Sequence, residues 1–427
     1  MEEQFLEIRE ADAVARHRLA SAPASPGWDI SELPEPRVHR IHAYPAKFPA
    51  FLTGKALAYG RRHGVRAQRV ADVFCGCGTV AYEARRAGLD FWGCDINPVA
   101  TLIARTKGGN YRPARLRSYC DAIMEAMASA PATVNLAPSA VARLEYWFAL
   151  DQFKDLARLL NAIDAVVPSR SHYRTAFHCA FSAILKGCSR WRQRSIKPTL
   201  DPRKQSANVL TAFESQCALM AKAFEAPRPC SASESVIRLA NVLTVPPPEP
   251  VDLIVTSPPY VTSYEYADLH QLSSLWLGYA SDHRNLRAGS IGSSQHDLNF
   301  KRVAKRLNRV GTQVVFSLYN YDRDAARDVA NYYVDMQAVA ARCRQFLTPK
   351  GIAVFVIGNT RYRGVDIDNA SHLAESLIDA GFRKVRATRR RISNKCATPY
   401  RDDTGRYSRS RTQTQIYAEE FVLIAHL

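Results

Sequence analysis

The chain has 427 residues, 47% of them hydrophobic, with ten cysteines and a formal net charge of +18 from 58 basic and 40 acidic residues. That length accommodates one large domain with an insertion or two domains; no run is apolar enough to span a membrane, and the acidic start Met1-Glu2-Glu3-Gln4 lacks the basic, then apolar, pattern of a signal peptide. Cysteines without paired spacing fit reduced thiols in a cytoplasm, and the excess of cations favours a polyanionic partner.

From the N-terminus, His42-Ala43-Tyr44-Pro45-Ala46-Lys47-Phe48-Pro49 is an apolar lead-in broken by two prolines, and a helix is expected over 50–61. Residues 69–74 read as a buried strand, Cys75-Gly76-Cys77-Gly78-Thr79 as the turn after it, and 80–87 as a helix stopped by Gly88. A second strand over 90–94 ends at Asp95. The glycines let a ligand approach the backbone closely at a helix N-terminus, and an acid about 20 residues on, at the next strand end, suits a ribose diol. Gly76-Cys77-Gly78-Thr79-Val80-Ala81 also satisfies the loose dinucleotide fingerprint G-x-G-x-x-A, so a nicotinamide cofactor is a rival here. Cys75, Cys77 and Cys94 lack a partner pair at metal-ligand spacing and read as small core residues, with no metal expected.

Residues 111–230 are helical in pattern, over 114–128, 140–166 and 172–191, and are not needed by the alternating strands and helices around them. Glu145-Tyr146-Trp147-Phe148 has the aromatic spacing of a core. At the end of this stretch Arg190, Arg192, Arg194 and Lys197 surround Trp191, a combination that can grip phosphates and stack on bases. The chain therefore divides into a cofactor half over 1–110, a helical insertion over 111–230 and a second half of the core over 231–427. The insertion is expected to recognise the target, with a scaffolding or dimerising role as the alternative.

A strand with a polar end is expected over 235–241, finishing at Asn241, and another over 251–255. The latter runs into Thr256-Ser257-Pro258-Pro259-Tyr260, where two prolines fix the backbone and Tyr260 offers a flat face beside the Ser257 hydroxyl. Such polar acceptors beside an aromatic suit a planar, amine-bearing ring. Helices over 267–277, 323–347 and 372–380 and strands over 352–357, 382–388 and 420–426 complete the pattern, with a polar loop over 281–308. Basic residues cluster again at Arg383, Lys384, Arg386, Arg389, Arg390 and Arg391, and at Arg401, Arg406, Arg409 and Arg411 among Tyr400 and Tyr407. Strands alternating with helices imply an α/β, doubly wound, mostly parallel sheet with ligands at the carboxyl ends of its strands.

Thr256 to Tyr260 resembles the catalytic motif of amino-group DNA methyltransferases, in the serine form typical of the N4-cytosine enzymes, and Asp72-Val73-Phe74-Cys75-Gly76-Cys77-Gly78 resembles the S-adenosylmethionine loop of class I methyltransferases. Asp95-Ile96-Asn97-Pro98 is similar to that family's second cofactor motif, and the Tyr44 segment to the one that packs over the methionine end of the donor. The resemblance implies a seven-stranded Rossmann-like methyltransferase sheet and S-adenosylmethionine as cofactor, ahead of a nicotinamide. It assigns Ser257, Pro258, Pro259 and Tyr260 to catalysis, and Tyr44, Lys47, Phe48, Asp72, Phe74, Gly76, Gly78, Thr79, Asp95, Ile96, Asn241 and Thr256 to the donor. Asn241 stands where the family often has an acid that holds the adenine amine.

The implied reaction methylates the N4 amine of a cytosine flipped from double-stranded DNA, and Arg190, Trp191, Arg192, Arg194 and Lys197 with Arg389, Arg390 and Arg391 are the residues expected to bind that DNA. N6-adenine transfer, an RNA substrate and an inactive nucleic-acid-binding module are the alternatives. A carbon-5 cytosine enzyme is excluded by the absence of a cysteine in the catalytic turn, since Cys230 lies in a polar lead-in. The resemblance also allows a cognate restriction endonuclease as partner, which no residue of the chain specifies.

Overall fold

Apolar, largely β-branched runs such as Val251–Thr256 and 352–357 are buried on both faces, as strands in the middle of a helix-covered sheet must be. The computed structural model describes residues 3–17, 19–29, 34–45, 47–226, 233–261, 266–292, 299–362, 364–392, 400–401, 407–408, 414–415 and 419–427. Its central sheet has eight strands: β1 (Leu6–Ile8), β2 (Arg69–Asp72), β3 (Asp90–Asp95), β4 (Ser235–Leu239), β5 (Val251–Thr256), β6 (Leu347–Ile357), β7 (Lys384–Arg391) and β8 (Glu419–His426). They lie in the order β1-β7-β8-β6-β5-β2-β3-β4. The run from β4 to β6 is parallel, whereas β8 is antiparallel to both its neighbours. The seven expected strands are joined by β1, which pairs antiparallel with β7 through Leu6↔Ala387 and Ile8↔Val385. That short segment carried no alternating pattern long enough to signal a strand.

The chain winds outward from β2 through β3 to β4 and then returns to start β5 on the other side of β2. A crevice therefore opens beyond the carboxyl ends of β2 and β5, where the direction of winding reverses. Local chemistry secures this pair of strands. Asp252, the one acid in β5, accepts hydrogen bonds from the Gln68 and Arg69 amides at 2.8 and 3.1 Å, and from the Thr348 hydroxyl at 3.1 Å.

Helices cover both faces. Ala50–Arg62, Thr79–Arg86 and Pro98–Gly108 form one set around β2 and β3, and the 24-residue helix Arg323–Phe346 lies across the other face before feeding β6. Between β3 and β4 run five further helices, Pro113–Ala126, Pro138–Trp147, Leu150–Val166, His172–Cys188 and Val209–Ala223. They close around their own core of Trp147, Phe177, Phe181, Trp191 and Phe213, into which Trp276 from the chain after β5 also inserts. Among the described residues no helix is long and apolar enough to cross a membrane.

Candidate active site

The site is built from two strand ends. Asp72 closes β2, and its carboxylate accepts from the Phe74 amide at 3.0 Å and from the Thr256 hydroxyl of β5 at 2.6 Å. This bond ties the glycine loop to the turn that holds Ser257. Burial pushes the Asp72 carboxyl up to about 7, against those two hydrogen bonds and reinforced by the nearby charge of Asp95. Asp95, at the end of β3, accepts from the Gly76 amide at 2.8 Å and from the Asn97 amide at 2.8 Å. Burial raises its pKa too, while the two amides pull the other way.

Loop conformation explains both glycines, for different reasons. Gly76 has φ +49 and a side chain there would enter the gap beside the Tyr44 ring, whose Cε1 lies 3.6 Å from the place a Cβ would take. Gly78, with φ +73, caps the helix Thr79–Arg86; a Cβ there would lie 2.6 Å from Ala104 Cβ, so this glycine lets two helices touch. Sequence reasoning assigned Gly78 to the donor, whereas it sits behind the loop rather than on the cavity wall.

Between these elements lies a cavity of about 550 Å³. Its wall contains Tyr44, Phe48, Asp72, Phe74, Gly76, Thr79, Asp95, Ile96 and Asn241 from the cofactor assignment, and Ser257, Pro259 and Tyr260 from the catalytic one. Pro258 is buried just beneath. Thr256 is fully buried and reaches the site only through Asp72. Lys47 turns away: its ammonium donates to Glu35 at 2.7 Å and to the His39 carbonyl at 3.2 Å, because a carboxylate and a carbonyl on the preceding segment are its nearest acceptors. Asn241 bridges two walls, accepting from the Leu243 amide at 2.8 Å and donating to the Gly289 carbonyl at 2.9 Å. Tyr44 is held by a stack on His270, with ring centroids 5.1 Å apart.

Tyr260 is fixed from behind. Its hydroxyl donates to Glu420 Oε1 at 2.8 Å, and the other oxygen of Glu420 is paired with the Arg390 guanidinium. Arg390 is buried, and its Nε also donates to the Trp28 carbonyl at 2.9 Å. A Cβ on Gly358 would lie 2.9 Å from the Tyr260 ring, so only glycine lets β6 end against it. Neither Glu420 nor Gly358 was singled out from sequence, and Arg390 was assigned to nucleic acid. The available signal was strand register: Arg390 and Glu420 are directly opposite on β7 and β8. The segment Leu286–Gly292 and Asp328 and Tyr332 complete the far wall, and no sequence pattern announced them.

Other expected cation sites also turn inward. Trp191 is 2% exposed and stacks on Trp147 at 5.2 Å, so it cannot receive a base. Arg190 donates through Nη2 to the Glu145 and Tyr146 carbonyls at 2.9 and 2.7 Å and thereby satisfies a helix end. Arg389 is committed to the Ala22 carbonyl at 2.8 Å and to Glu419 at 3.1 Å. Arg192, Arg194, Lys197 and Arg391 remain exposed. The cluster from Arg401 to Arg411, and Cys230, lie outside the described side chains. The eight described cysteines are buried thiols, and no group of potential metal ligands occurs among the described residues.

Two desolvated carboxyls stand beside the glycine loop. They suit a ligand with positive charge and hydroxyl or amine donors, as S-adenosylmethionine has. No family model matches the chain. It is similar to the Type II methyltransferase M.MvaI of Kocuria varians, with 22% identity over 390 residues and 84% of each chain covered. Among solved structures it overlaps the rRNA methyltransferase AviRa of Streptomyces viridochromogenes over 90% of this chain and 88% of that one, at 11% identity and a TM-score of 0.29, an overlap too loose to carry an argument. The chain has a doubly wound, Rossmann-like α/β fold whose cavity opens at the switch point of the sheet.

Proposed function

We propose that the chain is a DNA methyltransferase that transfers a methyl group to the exocyclic N4 amine of a cytosine flipped into the cleft. The carrying observation is that one cavity is walled both by the Gly76 loop with its two carboxyls and by Ser257, Pro259 and Tyr260. The relative from Kocuria varians, which spans nearly the whole chain, supports a nucleic-acid substrate, and the net charge of +18 supports a polyanion.

In this reading S-adenosylmethionine supplies an activated methyl group on a sulfonium. Gly76, Phe74, Asp95 and Ile96 hold its adenosine end, and Tyr44 and Phe48 enclose its methionine end. The Ser257 hydroxyl and the Pro258 carbonyl accept hydrogen bonds from the target amine, whose lone pair is otherwise delocalised into the ring, and aim it at the methyl. Tyr260 stacks on the base and offsets part of the few kcal/mol that flipping costs. Positioning and electrostatics therefore supply most of the catalysis. The helical insertion, through exposed Arg192, Arg194 and Lys197, contacts backbone phosphates and reads the target.

The deciding experiment incubates the protein with unmethylated bacterial DNA and labelled donor, then digests the DNA and identifies the methylated nucleoside by mass spectrometry. N4-methylcytosine is expected. N6-methyladenine would keep the mechanism and change the base. An unlabelled DNA pool with donor still bound by the protein would overturn the DNA reading and turn attention to RNA.

A further inference from the structure

Beyond the cavity, the helix Arg323–Phe346 extends about 36 Å at 1.5 Å per residue, about the length of the strand it feeds, so its first turns lie at the carboxyl edge of the sheet. Asp328 and Tyr332 from these turns line the cleft. Beside these turns is a surface of aromatics and cations. Phe316 is 49% exposed and Tyr321 66% exposed, large values for such side chains. Phe300 stacks on Tyr319 at 5.0 Å and meets Phe316 edge-on at 6.4 Å, while the Arg323 guanidinium lies 5.2 Å from the Tyr319 ring centre.

The platform is anchored next to the catalytic turn. Asp322 caps this helix and accepts from the Tyr362 hydroxyl at 3.2 Å; Tyr362 belongs to the hairpin that follows β6, whose end abuts Tyr260. Lys301 and Arg323 are exposed, and among the described residues neither is neutralised by a carboxylate. Alternating π-faces and unneutralised cations match a strand whose bases have partly lost their stacking and whose phosphates need counter-charge.

We propose that Lys301, Phe316, Tyr319, Tyr321 and Arg323 bind the nucleic-acid strand that flanks the target base, an inference that rests on the function proposed above. Lys301 falls in the stretch over 281–308 that reads from sequence as a polar loop, and Phe316, Tyr319 and Tyr321 fall between it and the helix expected from 323, where no element or motif is read. This surface lies on the opposite side of the sheet order from the helical insertion, and the strand would thus be held on both sides of the cleft.

The test uses the full chain with a fluorescent duplex and its single strand, followed by anisotropy, alongside calorimetry with the donor. F316A/Y321A removes only exposed rings and should weaken binding to the single strand about tenfold, within the range for losing a stacked base. K301Q/R323Q should reduce the slope of log affinity against log salt by about two. Donor affinity should be unchanged in both variants. The inference is overturned if both variants bind nucleic acid like the parent chain, and equally if the parent chain binds none. It is also overturned if the parent chain sediments as a dimer that F316A/Y321A dissolves while leaving nucleic-acid affinity intact, for then the surface pairs two copies. Should the parent chain methylate no nucleic acid yet lose binding in these variants, the proposed function fails and this surface stands.

Discussion

The cleft wall and the helical insertion were read from the same kind of signal, side chains clustered in sequence, and they turned out differently. Around the cleft, most residues assigned from sequence line one cavity. In the insertion, the Arg190–Trp191 pair faces the protein's own core and caps its own helices. The difference lies in the backbone. A residue at the carboxyl end of a parallel strand has its position dictated by sheet topology, so type and place together locate it. An arginine or tryptophan on a loop can turn either way, and burial of a ring plus satisfaction of carbonyls outweighs leaving it for a ligand.

The largest effects should come from breaking the inward-turned groups. Trp191→Ala removes a fully packed indole and should destabilise the fold by about 3–5 kcal/mol in urea unfolding. A loss under about 1 kcal/mol would return Trp191 to the surface and restore its reading as a base contact. Arg390→Met leaves Glu420 without its cation in a buried setting and should cost about 3 kcal/mol. Turnover should fall with it, while Glu420→Gln, which keeps an acceptor for Tyr260, should retain more turnover than Glu420→Ala. Equal turnover in those two would mean that the Tyr260 hydroxyl needs no anchor.

Asp72 tests the cleft side through pH. Its folded pKa of about 7 lies above that of an unfolded aspartate, so the folded chain binds the extra proton between roughly pH 4 and 7. That contribution favours folding fully below about pH 4 and is lost as pH rises through 7. Asp72→Asn should therefore flatten this part of the stability profile, measured by unfolding at several pH values. A profile parallel to the parent's would remove the raised pKa. Smallest of all, Arg192→Gln with Arg194→Gln should lower the salt slope of DNA binding by about two and leave stability within about 0.5 kcal/mol. An unchanged slope would extend the inward-facing rule to the whole cluster.

The order of strands and the glycine loop were legible because apolar periodicity and turn chemistry are local properties. So were Asp95 and the turn from Ser257 to Tyr260, which sit where a strand stops. What escaped were partners distant in sequence. Glu420 meets Tyr260 across 160 residues, Thr256 meets Asp72 across 184, and Gly78 is required by a helix that approaches only in three dimensions. Lys47 shows the converse: it lies in the expected segment, yet a nearby carboxylate claims its charge.

The added strand β1 has a consequence for the order in which the sheet closes. Leu6 must find Ala387, some 380 residues away, and the reward is a three-residue pairing on an outer edge. Such a contact forms last and opens first. Its amides should exchange with solvent well before those of β5 and β2, whose exchange demands opening of the whole domain. The molecule thus carries a sheet margin that can loosen while the crevice between β2 and β5 keeps its shape.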